Sequence, residues 1–175
     1  RRCQWVAEHP FTRSRQWDAW MELASGKAHS QRAVIEFLEE HAEDILEPDA
    51  ASVMAILRNL RGNVTSTART ELRADGSTSV EFAQDKRVSG ASNGVDLPSG
   101  VLINIPVLAG HENSDGKPVV YKLTVRMRAN IDDTGHLAFR FSMPTAERTL
   151  EVVIAERVAA AKTLLGDGMA LLRSF

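Results

Sequence analysis

The chain lacks the features that mark several large classes of protein. It contains one cysteine in 175 residues, so it cannot form an internal disulfide and does not belong with the disulfide-rich secreted domains. No apolar run approaches the roughly 18 consecutive residues that a membrane helix requires. No repeat and no low-complexity segment is present. These absences, together with the free thiol of Cys3, predict a cytoplasmic protein with no membrane partner.

What remains is the composition of an ordinary globular domain. Hydrophobic residues make up 43% and charged residues 25% of the chain, and the net charge is −2. A chain of this length buries about two thirds of the surface of its unfolded form, so it needs neither a disulfide nor a metal to fold. We predict one domain over residues 1–175. Because the chain starts at Arg1 without a methionine, we also expect an upstream N-terminal segment to be missing.

Helical periodicity dominates the first third of the chain, where apolar residues recur every three or four positions. The three predicted helices span about 13–24, 31–46 and 50–61. Ser30 and Asp49 stand where the N-caps of the second and third helices are expected, and Thr12 is the candidate for the first. Residues 1–61 are therefore predicted to be mainly helical.

The middle of the chain changes to the two-residue period of β-strands. The alternating segments lie at about 64–73, 78–83, 101–108, 119–130 and 137–141. Asp75-Gly76 is a strong hairpin signal between the first two. Residues 62–143 are thus predicted to form an antiparallel sheet. Residues 144–175 are predicted to form a long helix, about 145–165, and a short tail.

Segregated helices and strands are typical of the α+β class. We therefore predict an antiparallel sheet of about five strands, covered on one face by the N-terminal helices and the long C-terminal helix. The other face of such a sheet is often exposed to water. The alternation of residues 119–130 agrees with this arrangement.

The net charge is small, but the charges are segregated. Residues 36–49 contain seven acids and no lysine or arginine. Five of these acids form a possible interaction face: Glu36, Glu39, Glu40, Glu43 and Asp44. The polar face of the predicted sheet carries six basic residues: Arg69, Arg73, Lys122, Arg126, Arg128 and Arg140. Glu71 and Glu81 lie against them, so the local charge is six minus two, or about +4.

Three interpretations of the basic sheet face stay open. It is a solvated face with cross-strand ion pairs, which protect a sheet from edge-to-edge association. It binds the phosphates of a nucleic acid or nucleotide, or it docks on an acidic protein surface. Tyr121, Phe139 and Phe141 fall on the predicted core face, so the exposed aromatic residues on which single-stranded bases stack are missing. That pattern disfavours single-strand binding.

No constellation of residues supports catalysis. Gly90-Ala91-Ser92-Asn93-Gly94 matches the G-x-S-x-G pattern of a nucleophile elbow, but such an elbow leads into a helix, and a strand follows here. His41, beside Glu40 and three residues before Asp44, lies on an apolar helix face, whereas a metal site needs three or four convergent ligands. We therefore predict no enzymatic activity, no metal site and no cofactor.

Residues Trp17 to Leu60 are the most distinctive stretch of the chain. They contain a tryptophan-bearing helix and the segments Phe37-Leu-Glu-Glu-His-Ala-Glu-Asp-Ile45 and Glu47-Pro-Asp-Ala-Ala51. The Val101–Pro106 strand, the Arg126-Met-Arg128 strand and the terminal helix follow in order. In these features the whole chain resembles the YfdQ-like family, which bacteriophages and prophages encode. The resemblance implies a phage context in a bacterial host cell and transfers no catalytic residue.

Two hypotheses follow for the function. The first is a non-enzymatic phage accessory protein that acts by binding or by self-assembly into a homo-oligomer, since oppositely charged faces can meet between copies. The second is a nucleic-acid-binding accessory protein in phage recombination or replication that uses the basic sheet face. The predicted partners are thus another copy of the chain, a nucleic acid, or a host or phage protein.

Overall fold

Four helices and seven strands form the part of the chain that the structure, a computed structural model, describes: residues 11–72, 78–90, 98–131 and 136–165. The elements in chain order are α1 (Arg15–Leu23), β1 (His29–Ser30), α2 (Gln31–Glu40), a single 3₁₀ turn (Ala42–Asp44), β2 (Ile45–Glu47), α3 (Ala50–Asn59), β3 (Leu60–Leu72), β4 (Thr78–Gly90), β5 (Gly100–Pro106), β6 (Val120–Ile131), β7 (Leu137–Ser142) and α4 (Ala146–Leu165). An antiparallel sheet with helices before and after it confirms the α+β class.

Five strands form the main sheet, in the spatial order β1-β7-β6-β5-β2, and every neighbouring pair is antiparallel. The predicted number of strands is confirmed, but their identity differs. The two edge strands, β1 and β2, come from the part of the chain predicted to be helical. They are two and three residues long, which is too short to show a strand period in the sequence.

The second predicted helix is shorter than its apolar pattern indicates. α2 ends at Glu40, and β2 follows within the predicted helix. Ile45 of β2 is buried and pairs with Ile103 of β5. Hydrogen bonds to the edge of the main sheet replace helical ones here, so this tertiary pairing outweighs the local periodicity of residues 31–46.

The first two predicted strands form a separate hairpin. β3 and β4 have thirteen residues each and pair in continuous register from Leu60 with Gly90 to Leu72 with Thr78. This two-stranded sheet shares no strand with the main sheet, although β4 approaches β6. Residues 62–143 therefore contribute to two sheets instead of one. The sequence did not indicate this division, because an alternating pattern predicts strands without specifying their neighbours. The predicted turn at Asp75-Gly76 lies outside the described residues.

Two of the predicted helix caps are confirmed. The Ser30 hydroxyl accepts a hydrogen bond from the Ala33 amide at 3.2 Å, and the Asp49 carboxylate accepts one from the Ser52 amide at 2.9 Å. Hydrogen bonds from the Ser52 side chain and backbone also lower the pKa of Asp49. Each cap satisfies a backbone N–H group that the first helical turn leaves without a partner.

The cap of α1 is Ser14 instead of the expected Thr12. The Ser14 hydroxyl oxygen accepts a hydrogen bond from the Trp17 amide at 3.0 Å. The same hydroxyl donates to the carbonyl oxygen of Pro106, at the end of β5. Ser14 is buried, whereas Thr12 is exposed, so only Ser14 can both cap α1 and fasten it to the main sheet.

The core lies between the N-terminal helices and the inner face of the main sheet. Trp17 and Trp20 of α1 are fully buried, together with Leu38 of α2 and Leu57 of α3. The sheet side of this core consists of alternate residues of its three longest strands: Val101, Ile103, Ile105, Leu123, Val125, Met127, Phe139 and Phe141. The opposite sheet face is exposed along most of β6 and partly exposed along β5.

α4 packs through the stripe that the sequence predicts. Val153 is buried and Leu150 and Ile154 are partly buried against the core, whereas Val152 is 48% exposed. The observed bounds, Ala146–Leu165, agree with the predicted helix. Neither α4 nor any other described helix has the length and hydrophobicity needed to cross a membrane.

Candidate functional site

The main sheet has one face that packs on the helices and a second, here called the open face, that is exposed. β6 shows the division most clearly, since exposed and buried residues alternate along it. Leu123, Val125 and Met127 point into the core. The exposed basic residues of the open face are Lys122, Arg126 and Arg128 on β6 and Arg140 on β7.

These four cations form a row. Arg128 pairs directly with Arg140 across β6 and β7, and Arg126 lies two residues before Arg128 on the same strand. Directly opposite residues on one face are about 5 Å apart, and alternate residues of a strand are about 7 Å apart. Lys122 extends the row, so the four positive charges follow about 20 Å of the sheet.

None of the four cations forms an ion pair with a residue that the structure describes. The ion pairs observed in that part of the chain lie elsewhere: Arg13–Asp18, Lys27–Glu22, Arg32–Glu36 and Arg58–Glu39. Like charges directly opposite each other destabilise a sheet. The interpretation of this face as a set of cross-strand ion pairs therefore finds no support among the described residues.

Of the other two predicted basic residues, the structure places Arg69 away from the row and does not describe Arg73. Arg69 belongs to β3, and its partner in the hairpin register is Glu81 of β4. The hairpin is not part of the main sheet, so Arg69 is not a member of the open face. Arg73 lies outside the described residues. Four of the six predicted basic residues thus stay together.

The predicted acidic face is divided by internal partners. Glu36 pairs with Arg32 at 2.7 Å, and Glu39 pairs with Arg58 of α3. The Asp44 carboxylate accepts a hydrogen bond from the indole N–H of Trp20 at 2.8 Å. Of the five acids, this leaves two exposed carboxylates without such a contact among the described residues: Glu40 and Glu43.

A shallow groove of about 620 Å³ borders the open face beside β2 and β5. Its lining includes Arg126 and Thr124 as well as Glu47. Gly100 lets β5 approach β6 closely at this edge. A Cβ atom at this position would lie only 2.5 Å from the carbonyl oxygen of Val125. The carboxylate of Glu47 disfavours an anion in the groove, so the row of cations is the candidate site.

Two of the residues considered for metal binding, His41 and Asp44, have structural partners. The ring of His41 stacks on Phe37 with 4.2 Å between ring centroids, and its Nδ1 lies 3.0 Å from the Phe37 carbonyl oxygen. Asp44 is engaged by Trp20. In the part of the chain that the structure describes, no group of three or more histidine, cysteine or acidic residues is placed to hold a metal ion. Most of the G-x-S-x-G motif, from residue 91 on, lies outside that part.

A polar cluster that the sequence did not indicate joins α4 to the main sheet. The Tyr121 hydroxyl donates to Glu156 Oε2 at 3.0 Å, and the His111 and Tyr121 ring centroids are 6.2 Å apart. Burial and the hydrogen bond to Glu156 raise the pKa of Tyr121 to about 12. Burial and, secondarily, Arg157 lower the pKa of His111. Since these residues lie far apart in the sequence, no local pattern reveals the cluster.

Acidic pH is expected to destabilise the fold through His111. Its pKa in the folded state is lower than the ordinary 6.5, and its Nδ1 is buried without a described partner. The unfolded state therefore binds the proton more readily, and the free energy of unfolding falls as the pH drops below about 6.5. Urea denaturation between about pH 7 and 5 should show a smaller loss for His111→Gln than for the natural chain. An equal loss in both proteins would contradict this prediction.

Comparison with known proteins assigns a family. Among curated proteins and solved structures, none is significantly similar to the chain. Residues 3–170, nearly the whole sequence, match the family described as "Uncharacterized conserved protein (DUF2303)". The chain therefore belongs to the DUF2303 family.

Proposed function

We propose that the chain is a non-enzymatic binding protein whose open face holds a nucleic acid by its phosphates. The observation that carries this proposal is the pair Arg128 and Arg140, which are exposed, directly opposite each other and without a described acidic partner. Such a pair costs stability in the free protein. An external polyanion would supply the negative charge that no described residue places beside the pair.

The chemistry of the row suits phosphate. The planar guanidinium group of arginine donates two parallel hydrogen bonds to phosphate oxygens, and three of the four cations are arginines. Lys122 adds a compact positive charge at the end of the row. The net charge of −2 does not oppose binding, because salt screens charges that lie more than about 10 Å from the contact. The local charge of the open face governs the interaction.

We further propose a phage or prophage origin and a location in the cytoplasm of a bacterial host. This part rests on the resemblance of residues Trp17 to Leu60, and of the strands that follow, to the YfdQ-like family. The free thiol of Cys3 fits the same compartment. In that setting, a protein that binds nucleic acid without catalysis would serve as an accessory to recombination or replication.

Self-assembly into a homo-oligomer stays a prediction. The hypothesis was based on a possible contact between the acidic face of one copy and the basic face of another. The ion pairs of Glu36 with Arg32 and of Glu39 with Arg58 reduce the charge available for such a contact. For this reason we favour a nucleic acid as the partner of the open face. Light scattering over a salt series measures any assembly directly.

The proposal is tested by fluorescence anisotropy with the full chain and a labelled DNA duplex. We expect a dissociation constant in the micromolar range or below at about 50 mM salt, since contacts with phosphates are strongest at low ionic strength. Four neutralised phosphates predict binding about a hundredfold weaker at about 200 mM salt. No binding at about 10 μM protein in the low-salt buffer would contradict the proposal.

A further inference from the structure

We infer that the ligand of the open face is a double helix, held by its two phosphate backbones without contacts to the bases. This inference rests on the proposed function and specifies its ligand. It follows from three features of the open face: the residue types on it, its shape, and the length of the cation row.

Among the residues that the structure describes, the open face carries no aromatic platform on which unpaired bases could stack. Among the described strand residues of β5, β6 and β7, the aromatic ones are Tyr121, Phe139 and Phe141, and all three lie on the core side. Proteins that bind single strands without sequence preference combine a positive groove with stacked aromatic side chains. The open face has the positive charge and lacks the stacking groups.

Several residues beside the cations carry small polar side chains. Thr124 and Asn130 of β6, Ser142 of β7 and Asn104 of β5 are neighbours of the row in the strand register, together with the apolar Leu102 and Ala138. Hydroxyl and amide side chains of this kind hydrogen-bond to phosphate oxygens and sugars, and such contacts position a nucleic acid without reading its sequence. A pleated sheet face is also too broad to enter a groove, where the base edges are exposed.

The length of the row suits a duplex. The four cations follow about 20 Å of the sheet, and a duplex presents one phosphate charge per about 1.7 Å of its axis. A duplex laid along the row therefore offers phosphates from both strands to cations on two neighbouring strands of the sheet. Arg128 and Arg140 lie side by side, so they can reach neighbouring phosphates.

Competition binding tests this inference. A labelled duplex of about 30 base pairs is bound to the full chain at low salt and displaced by unlabelled duplex DNA, duplex RNA, a scrambled duplex or an unstructured thymidine strand of equal length. We expect the DNA duplex to compete about tenfold better than the single strand, and the scrambled duplex to compete equally well. The RNA arm shows whether the spacing of the cations selects the B-form or the A-form helix.

The salt dependence of binding counts the contacts. Four phosphates on a duplex predict a slope of about −3.6 for the logarithm of the binding constant against the logarithm of the salt concentration. Lys122→Gln should reduce that slope to about −2.7. Lys27 pairs with Glu22 and is not part of the cation row. Lys27→Gln is therefore the matched control and should leave the slope unchanged.

The outcomes separate the inference from the proposed function. Tighter binding of the thymidine strand than of the duplex overturns the inference and leaves the open face as a nucleic-acid site. A marked preference for one duplex sequence overturns the conclusion that only the backbone is contacted. No binding of any of these nucleic acids overturns the inference and the proposed function together.

Discussion

Changing Arg128 and Arg140 together to glutamate should weaken binding of a DNA duplex by about a hundredfold or more at low salt. Each arginine is expected to form a charge-assisted hydrogen bond to phosphate, and each such contact contributes about tenfold or more to affinity. Reversal also places two negative charges beside the phosphates. Fluorescence anisotropy with the duplex at about 50 mM salt measures the loss.

A matched control separates the open face from the net charge. Arg148→Glu with Lys162→Glu changes the net charge by the same amount, and both residues are exposed on α4. This double variant should retain nearly all of the affinity. Equal weakening by the two double variants would show that binding follows the total charge of the protein rather than the row on β6 and β7.

The single variant Arg128→Glu provides an independent check. It places a glutamate directly opposite Arg140, and opposite charges across a strand pair stabilise a sheet. We expect the melting temperature to rise slightly while the affinity for the duplex falls. A fall in both quantities would indicate that Arg128 supports the fold, which would remove the main observation behind the proposed function.

Trp20→Ala is expected to lower the free energy of unfolding by about 3–5 kcal/mol. Trp20 is 0% exposed, and its ring packs edge-on against Phe37 with 5.0 Å between centroids. Its removal leaves a cavity and takes away the N–H donor of the Asp44 carboxylate. Because natural domains are stable by only about 5–15 kcal/mol, this loss would remove a substantial part of the stability of the fold.

Two further variants separate the ring from its hydrogen bond. Trp20→Phe keeps most of the buried ring but leaves Asp44 without its donor, so we expect a smaller loss of about 1–3 kcal/mol. Val152→Ala, at a half-exposed position of α4, should cost less than about 1 kcal/mol. Urea denaturation followed by circular dichroism measures all three variants. A Trp20→Ala loss no larger than that of Val152→Ala would contradict the assignment of Trp20 to the core.

Local patterns in the sequence were sufficient to predict the open face of β6. The alternation of residues 119–130 places Lys122, Arg126 and Arg128 on one side because successive residues of a strand point to opposite faces. The bounds of α4 and the caps Ser30 and Asp49 were also predictable from local patterns. Each depends on residues that lie within a few positions of one another.

The neighbours of each strand required the tertiary structure. Alternation is the same in a hairpin and in a larger sheet, so no pattern showed that Arg69 of β3 lies apart from Arg128, or that β1 and β2 complete the main sheet. The partners of the acidic residues could not be predicted for the same reason, since Arg58 pairs with Glu39 from another helix and the Asp44 carboxylate accepts a hydrogen bond from Trp20. Periodicity reports which side of an element is buried, whereas pairing across the fold depends on contacts between distant residues.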